Sequence, residues 1–328
     1  MNSMAKGQTG KAAGFLSRYG LYLVIAIMVV ALCFVNKNFA TYSNFMLILQ
    51  QMAPFGVATI GMIFVLITAG IDISAGRVMF ISGVVVGEIL LKLPASVLES
   101  PVVFVICFGA AILVGGAFGM MTGLLITKLK IYPFMATLLM GYIARGLGLT
   151  IAGNTKYDVS ILGTISNSRI FGVPVAFLIF VVLAVLMNYV LRCTTFGKHT
   201  MAIGNNKAAA AQIGIRVDRH MIIIYMMCGV FSAIGGLLSA GQISEVFTTF
   251  GENNEFQIIS SAVIGGASMF GGKGSILPGA VVGVLLIQVV LNGLGMLNAS
   301  VYIYNVVRGV IIFLAVAIDC IGFEGELR

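Results

Sequence analysis

The sequence predicts an all-α polytopic membrane protein of about ten transmembrane helices with both termini cytoplasmic. Three observations predict it. Of the 328 residues, 59% are hydrophobic and 9% charged, where soluble domains carry roughly 25% charged residues; the mean hydropathy is +1.08. So little polar surface cannot cover a water-soluble globule. Apolar runs recur at lengths near the roughly 20 residues that carry a helix across a bilayer. Lysine and arginine fall on alternate connecting segments, as the positive-inside rule requires.

The runs are taken in chain order. The first, 20–36, follows Lys6, Lys11 and Arg18. No clean small-x-small cleavage site follows it, so it is expected to remain as a signal-anchor helix. The next are 46–70, 78–92, 102–127, 134–152, 173–191, 221–241, 256–270, 276–296 and 302–319. Those at 78–92 and 256–270 are short for a bilayer, which points to tilted, interrupted or re-entrant segments. The organisation is thus a cytoplasmic segment 1–19, one transmembrane domain 20–319 and a cytoplasmic tail 320–328.

Orientation follows from charge. The inner segments hold Lys6, Lys11, Arg18, Arg77, Lys128, Lys130, Arg192, Lys198, Lys207, Arg216, Arg219, Lys273 and Arg328, while the outer ones hold Lys37, Lys92, Lys156 and Arg169. Thirteen against four makes the pI of 9.3 a topology signal and argues against a nucleic-acid partner.

One long polar, basic segment, Thr195 to Val217, interrupts the apolar pattern. Its centre, Lys207 to Ile213, is an Ala-rich helix former, with Asn205 or Asn206 placed to cap its start and Gly214 to end it. Elsewhere glycine dominates, 41 residues in all. Gly115, Gly119 and Gly123 recur every fourth residue, as do Gly279 and Gly283, a spacing that lets helix backbones approach closely.

Ionisable residues within spans are few. Arg145 lies mid-span, Arg308 one or two turns into the tenth span, and Glu88 near the outer end of the third. Such residues either form buried structural pairs or line a hydrated path. A relay of acids, as proton-coupled carriers use, is missing from the pattern. Enzyme chemistry is missing too. His199 and His220 have no partner motif, and Gly271-Gly-Lys-Gly-Ser275 lacks the spacing of a phosphate loop. The five cysteines have no metal-type spacing, so no metal or cofactor is expected on this chain.

Four stretches resemble the permease subunits of bacterial ribose/galactose/arabinose-type ABC sugar importers. They are Thr68-Ala-Gly-Ile-Asp-Ile-Ser-Ala-Gly76, Leu129-Lys-Ile-Tyr-Pro-Phe-Met-Ala-Thr-Leu138, Phe196-Gly-Lys with Ala202–Ile215, and Ala262–Gly274. The resemblance runs from about Tyr19 to Asp319. It implies an ABC-importer permease bundle in the bacterial inner membrane that translocates a monosaccharide or similar small polyol. The implied partners are a cytoplasmic ABC ATPase subunit carrying ATP and Mg, a periplasmic sugar-binding protein, and a second permease copy or related permease. The segment 192–220 becomes a coupling loop, with Gly204, Asn205, Asn206, Lys207, Ala208, Ala209, Ala210, Gly214 and Ile215 at the ATPase contact. Asp72, Ser74, Pro133, Arg145 and Arg308 become gate or path candidates. At the turn, Asp72 and Ser74 also read as a helix cap with a local ion pair to Arg77. The outer segment with Glu252, Asn253, Asn254 and Glu255 becomes a candidate contact for the binding protein. The chain departs from the family pattern at Asn205, where a second glycine is usual, and at Phe256-Gln257, where Leu-Asp is frequent. The alternative is a self-sufficient secondary carrier or channel for a small polar solute.

Overall fold

A computed structural model describes Leu23 and residues 25–326; the segment 1–19, with Lys6, Lys11 and Arg18, and the last two residues of the tail lie outside it. Helix α1 (Ile25–Val35) leads through a 3-10 turn at Lys37–Ala40 into α2 (Tyr42–Ile67). There follow α3 (Ala75–Lys92), the short α4 (Ala95–Leu98), α5 (Val102–Thr127) and α6 (Pro133–Ala152). Strand β1 (Tyr157–Asp158), α7 (Ser160–Ser166), β2 (Arg169–Ile170) and β3 (Val173–Pro174) lead to α8 (Val175–Cys193), α9 (Thr195–Asn205), α10 (Lys207–Gln212) and α11 (Val217–Ile243). The chain closes with β4 (Glu245–Val246), α12 (Asn254–Ile264), α13 (Val281–Met296) and α14 (Val301–Glu326).

Helices α2 and α11 form the centre. Their most apolar stretches are 83% and 67% buried, against 22% for α8 and 33% for α5 and α6. The outer faces of α5 and α8 present Leu113, Val182 and Val185, the surface expected against lipid. Helix α11 runs antiparallel to α2, with Gly61 against Cys228 and Gly235 against Pro54. The glycine row of α5 meets α11 directly: side chains at Gly115, Gly119 and Gly123 would run into Gly229, Tyr225 and Ile222. In the same way Gly279 and Gly283 admit the backbone of Gly265 and Ser261. The spacing seen in the sequence is thus a pair of close helix seams.

Two helices begin inside the bundle. After Ile67 the chain turns back through 68–74, Gly70 lies against the Tyr225 hydroxyl, and Met79 lies against Gly235 and Gly236. Helix α3 therefore starts near the middle of α11. Helix α12 has 11 residues, about 16 Å at 1.5 Å per residue, half a bilayer. Its N-terminus meets that of α3, where Gly76 faces Gly251 and Glu255. From this junction α3 runs to one end of the bundle and α12 to the other. Irregular backbone at such depth survives because it is buried in protein.

One end of the bundle carries α9, α10, Ile67, Asp218 and the turn around Gly272; the other carries β1 paired antiparallel with β4, and β2 with β3. Tyr157, 1% exposed, pins β1 by donating to Glu88 Oε1 at 2.7 Å. Burial, then that carboxylate, pushes its phenol up to about 12.

Six helices among the described residues are long and apolar enough to cross a membrane: α2, α5, α6, α8, α11 and the stretch Ile276–Met296 containing α13. Of the other four runs, 20–36 is described only in part and 302–319 lies within the 26-residue α14, while the interruption expected at 78–92 and 256–270 is the mid-bundle start of α3 and α12. The fold is not purely α, because four two-residue strands tie the connecting segments together.

Candidate functional site

The first candidate site is the helical pair α9–α10. Thr194 caps α9, its Oγ1 accepting from Gly197 N at 3.4 Å. Asn206 rather than Asn205 caps α10, with Oδ1 accepting from Ala209 N at 3.0 Å. Gly214, at φ +89°, ends α10 in a Schellman arrangement: Gly214 N donates to Ala211 and Ile215 N to Ala210. Lys207, Ala208 and Ala209 are exposed, as is Ile213 at 75%. Ala210, grouped with them from the sequence, instead faces its own bundle at 2% exposure, where α10 packs back onto the protein.

The pair is locked onto the bundle. Thr200 Oγ1 lies 2.9 Å from Nε2 of the buried His220, and Phe196 stacks beside that ring at 4.3 Å. Gly204 lies against the carbonyl of Ile67 and the amide of Gly272. Asn205 places its carboxamide against Gly272, in the space that a Cβ at that position would fill. Asp218 receives Lys130 at 3.5 Å and Lys128 at 3.9 Å at this same end.

The second candidate site is the α3–α12 junction. Asp72, 1% exposed, accepts from Ser74 N at 2.8 Å and Ser74 Oγ at 2.6 Å, closing the turn into α3. Arg77 was expected to pair with Asp72 at a cytoplasmic loop. It pairs instead with Glu255 at 4.0 Å and stacks over Tyr142 at 4.6 Å, since α3 starts at mid-depth and projects it toward α12. Arg145 donates to the carbonyls of Phe250 and Thr248 and to Glu252, with its guanidinium 4.3 Å from the Phe80 ring.

Two groups of residues that the sequence kept apart therefore converge: the path candidates Asp72, Ser74 and Arg145 with Glu252 and Glu255 from the expected outer loop. Glu255 is the clearest departure. It is 3% exposed, buried in the bundle by the short α12 rather than displayed on a solvated loop. Asn253 is exposed and Asn254 half-buried, at φ +63° for Asn253. Pro133 stands at the first residue of α6, at the α10 end and away from the junction. Arg308 Nη2 donates to Gln257 Oε1 at 3.5 Å. Arg77 and Gln257 belong to this network although the sequence reading placed neither among the candidate site residues. Among the described residues no cluster of His, Cys, Asp and Glu could hold a metal ion.

Comparison with known proteins decides the affiliation. The family described as Branched-chain amino acid transport system / permease component matches residues 44–316. The chain belongs to this family. Members similar to it include the ribose import permease protein RbsC of Bacillus subtilis, 34% identical over 317 residues, 93% of this chain and 94% of that protein. RbsC of Escherichia coli K12 is 31% identical over 303 residues, 90% and 92% of the two chains. The D-allose transport system permease protein AlsC of the same strain is 32% identical over 308 residues, 93% and 92%. No solved structure matches the chain. Family membership and the apolar helices make it a multi-pass membrane protein, and the match covers both candidate sites.

Proposed function

We propose that this chain is the transmembrane subunit of an ATP-driven ABC importer that moves a monosaccharide or similar small polyol across the bacterial inner membrane. The observation that carries the reading is α10, a six-residue, doubly capped helix displaying Ala208, Ala209 and Ile213 beyond a bundle built for lipid. So short a helix is not stable alone. Its caps, and the anchorage of the adjoining α9 through Gly204 and His220, suit it to transmit force to a soluble partner.

That partner is a cytoplasmic ABC ATPase, which binds ATP and Mg; this chain binds neither. The α10 end is cytoplasmic, in keeping with Lys128, Lys130, Arg192, Lys198, Lys207, Arg216, Arg219 and Lys273 in its segments. The β1–β4 end faces a periplasmic sugar-binding protein. A second copy, or a related permease, completes the transport unit, and residues 20–319 act as one domain. The sugar class rests on the ribose and allose permeases among the relatives.

The test is purification of the tagged chain from its native membrane in mild detergent. An ATPase should accompany wild type and be lost with Ala209→Glu. Cysteines placed at Lys207 and Lys156 should label from opposite sides of the membrane. Solute uptake into liposomes by the chain alone, without ATP, would replace the importer with the self-sufficient carrier.

A further inference from the structure

The glycine-rich turn that follows α12 is gripped from two sides. It closes on itself, Ser268 N donating to Lys273 O at 3.1 Å and Gly271 N to Ser268 O at 3.2 Å. One side meets two distant segments. Gly272 N donates to the carbonyl of Ile67, the last residue of α2, at 2.8 Å. A Cβ at Gly271 would meet the carbonyl of Gly204 at 2.8 Å and the side chain of Ala69 at 2.9 Å. Both glycines have positive φ, +90° and +75°, so a side chain at either is refused by the backbone as well as by the lack of space. The ends of α2 and α9 therefore rest on this turn, just ahead of the Asn206 that caps α10.

Asp319 of α14 grips the other side. Its Oδ2 accepts from Met269 N at 2.8 Å and from Ser268 Oγ at 3.3 Å. Ser268 Oγ accepts in turn from Phe270 N at 3.2 Å, so one carboxylate orients the peptides on both sides of Met269. Carboxylates hold such donors about twice as strongly as neutral acceptors do. The partners lie 50 and 51 residues away in sequence, so the grip is purely tertiary. What the turn touches gives the grip its reach. Ala69 leads on to Asp72 and α3, and Ala267 N donates back to Ala262 O of α12 at 3.0 Å. The turn thus joins the segment carrying α10 to both helices that begin at mid-depth.

We propose that Asp319 is a positioning residue for coupling. By fixing the turn at Ser268 and Met269 it keeps Gly271 and Gly272 seated on Ile67 and Gly204, and a push on α10 from the ATPase passes through that seat to α3 and α12. The assignment rests on the importer reading above and adds to it the residue through which the last helix takes part.

The test is hydrogen–deuterium exchange of the full chain with its captured ATPase, with and without adenylyl imidodiphosphate and Mg, in wild type and Asp319→Ala. In wild type the nucleotide should change exchange in peptides covering 207–212, 75–82 and 254–264. In Asp319→Ala the change at 207–212 should persist, because Ala208, Ala209 and Ile213 keep their exposure. The change at 75–82 and 254–264 should be lost. Without nucleotide, peptides covering 268–272 should exchange about tenfold faster in the variant, as loss of hydrogen bonds to a carboxylate implies. A residue that only stabilises the fold would shift these basal rates and leave the nucleotide response at 75–82 and 254–264 whole; that result overturns the proposal. So does unchanged exchange at 268–272. Asp319→Asn, of the same shape with one neutral acceptor, takes the place of Asp319→Ala should the latter give no monodisperse complex, and the same loss is expected of it. Failure of the importer reading looks different, since wild type itself then captures no ATPase.

Discussion

Glu255 lies directly against Gly76, so that the carboxylate of the first turn of α12 occupies the space a side chain at the start of α3 would need. Two helix N-termini meet there, and two buried acids, Asp72 before α3 and Glu255 in the first turn of α12, lie at their positive ends. The pairing explains why the chain breaks two helices at mid-depth. Each break brings backbone amides and a charged side chain to a level where continuous helices would show only apolar surface.

Gly76→Ala should lower the thermal midpoint of the detergent-solubilised chain. The new Cβ would collide with the Gly251 carbonyl and Glu255 Oε2, and overpacking of this kind costs about 1–3 kcal/mol. Gly109→Ala is the control, because nothing lies within 4 Å of its would-be Cβ. There the change should be neutral or slightly stabilising, through better helix propensity. Equal midpoints for the two variants would refute the close approach.

The Arg77–Glu255 pair can be weighed by a double-mutant cycle. The partners are 4.0 Å apart, with side chains 19% and 4% exposed. Removing one member of a buried pair costs about 3–5 kcal/mol, and the long separation and partial exposure of Arg77 place this pair at or below the lower bound. Arg77→Met and Glu255→Gln should each lower stability, and the double variant should lose less than the sum of the two. Additive losses would mean that the two side chains do not interact.

The sequence carried the helices, the glycine seams and the cap of α10, because each is written in local spacing. It did not carry the junction. The run from Glu245 to Glu255 is polar enough to read as a surface loop, and only partners far along the chain make it interior. Arg145 is 107 residues from Glu252, and no periodicity reports such a distance. The same limit paired Arg77 with its neighbour Asp72, whereas Asp72 accepts from Ser74 and Arg77 lies 4.0 Å from Glu255. Within α10 nothing in the Ala-rich spacing separates the buried Ala210 from its exposed neighbours; the packing of the helix on the bundle does.

The last prediction concerns α10 itself. Six residues make only one or two intrahelical hydrogen bonds, so the cap carries a large share of what keeps this helix formed. Asn206→Ala removes the bond from Ala209 N to Oδ1, at a cost of about 1 kcal/mol, which raises the opening equilibrium of the first turn about fivefold. Hydrogen–deuterium exchange of peptides covering 207–212 should quicken by that factor. Peptides from α9 should not change, because Thr194 caps that helix independently and Thr200 ties it to His220. The thermal midpoint of the bundle should also hold, since the residues lost to fraying are exposed. Faster exchange in α9 and α10 together would show that the two helices open as one unit and that Asn206 is not the element that defines α10. If exchange rises in α10 alone and ATPase capture falls with it, helix order at Lys207–Gln212 is what the soluble partner recognises.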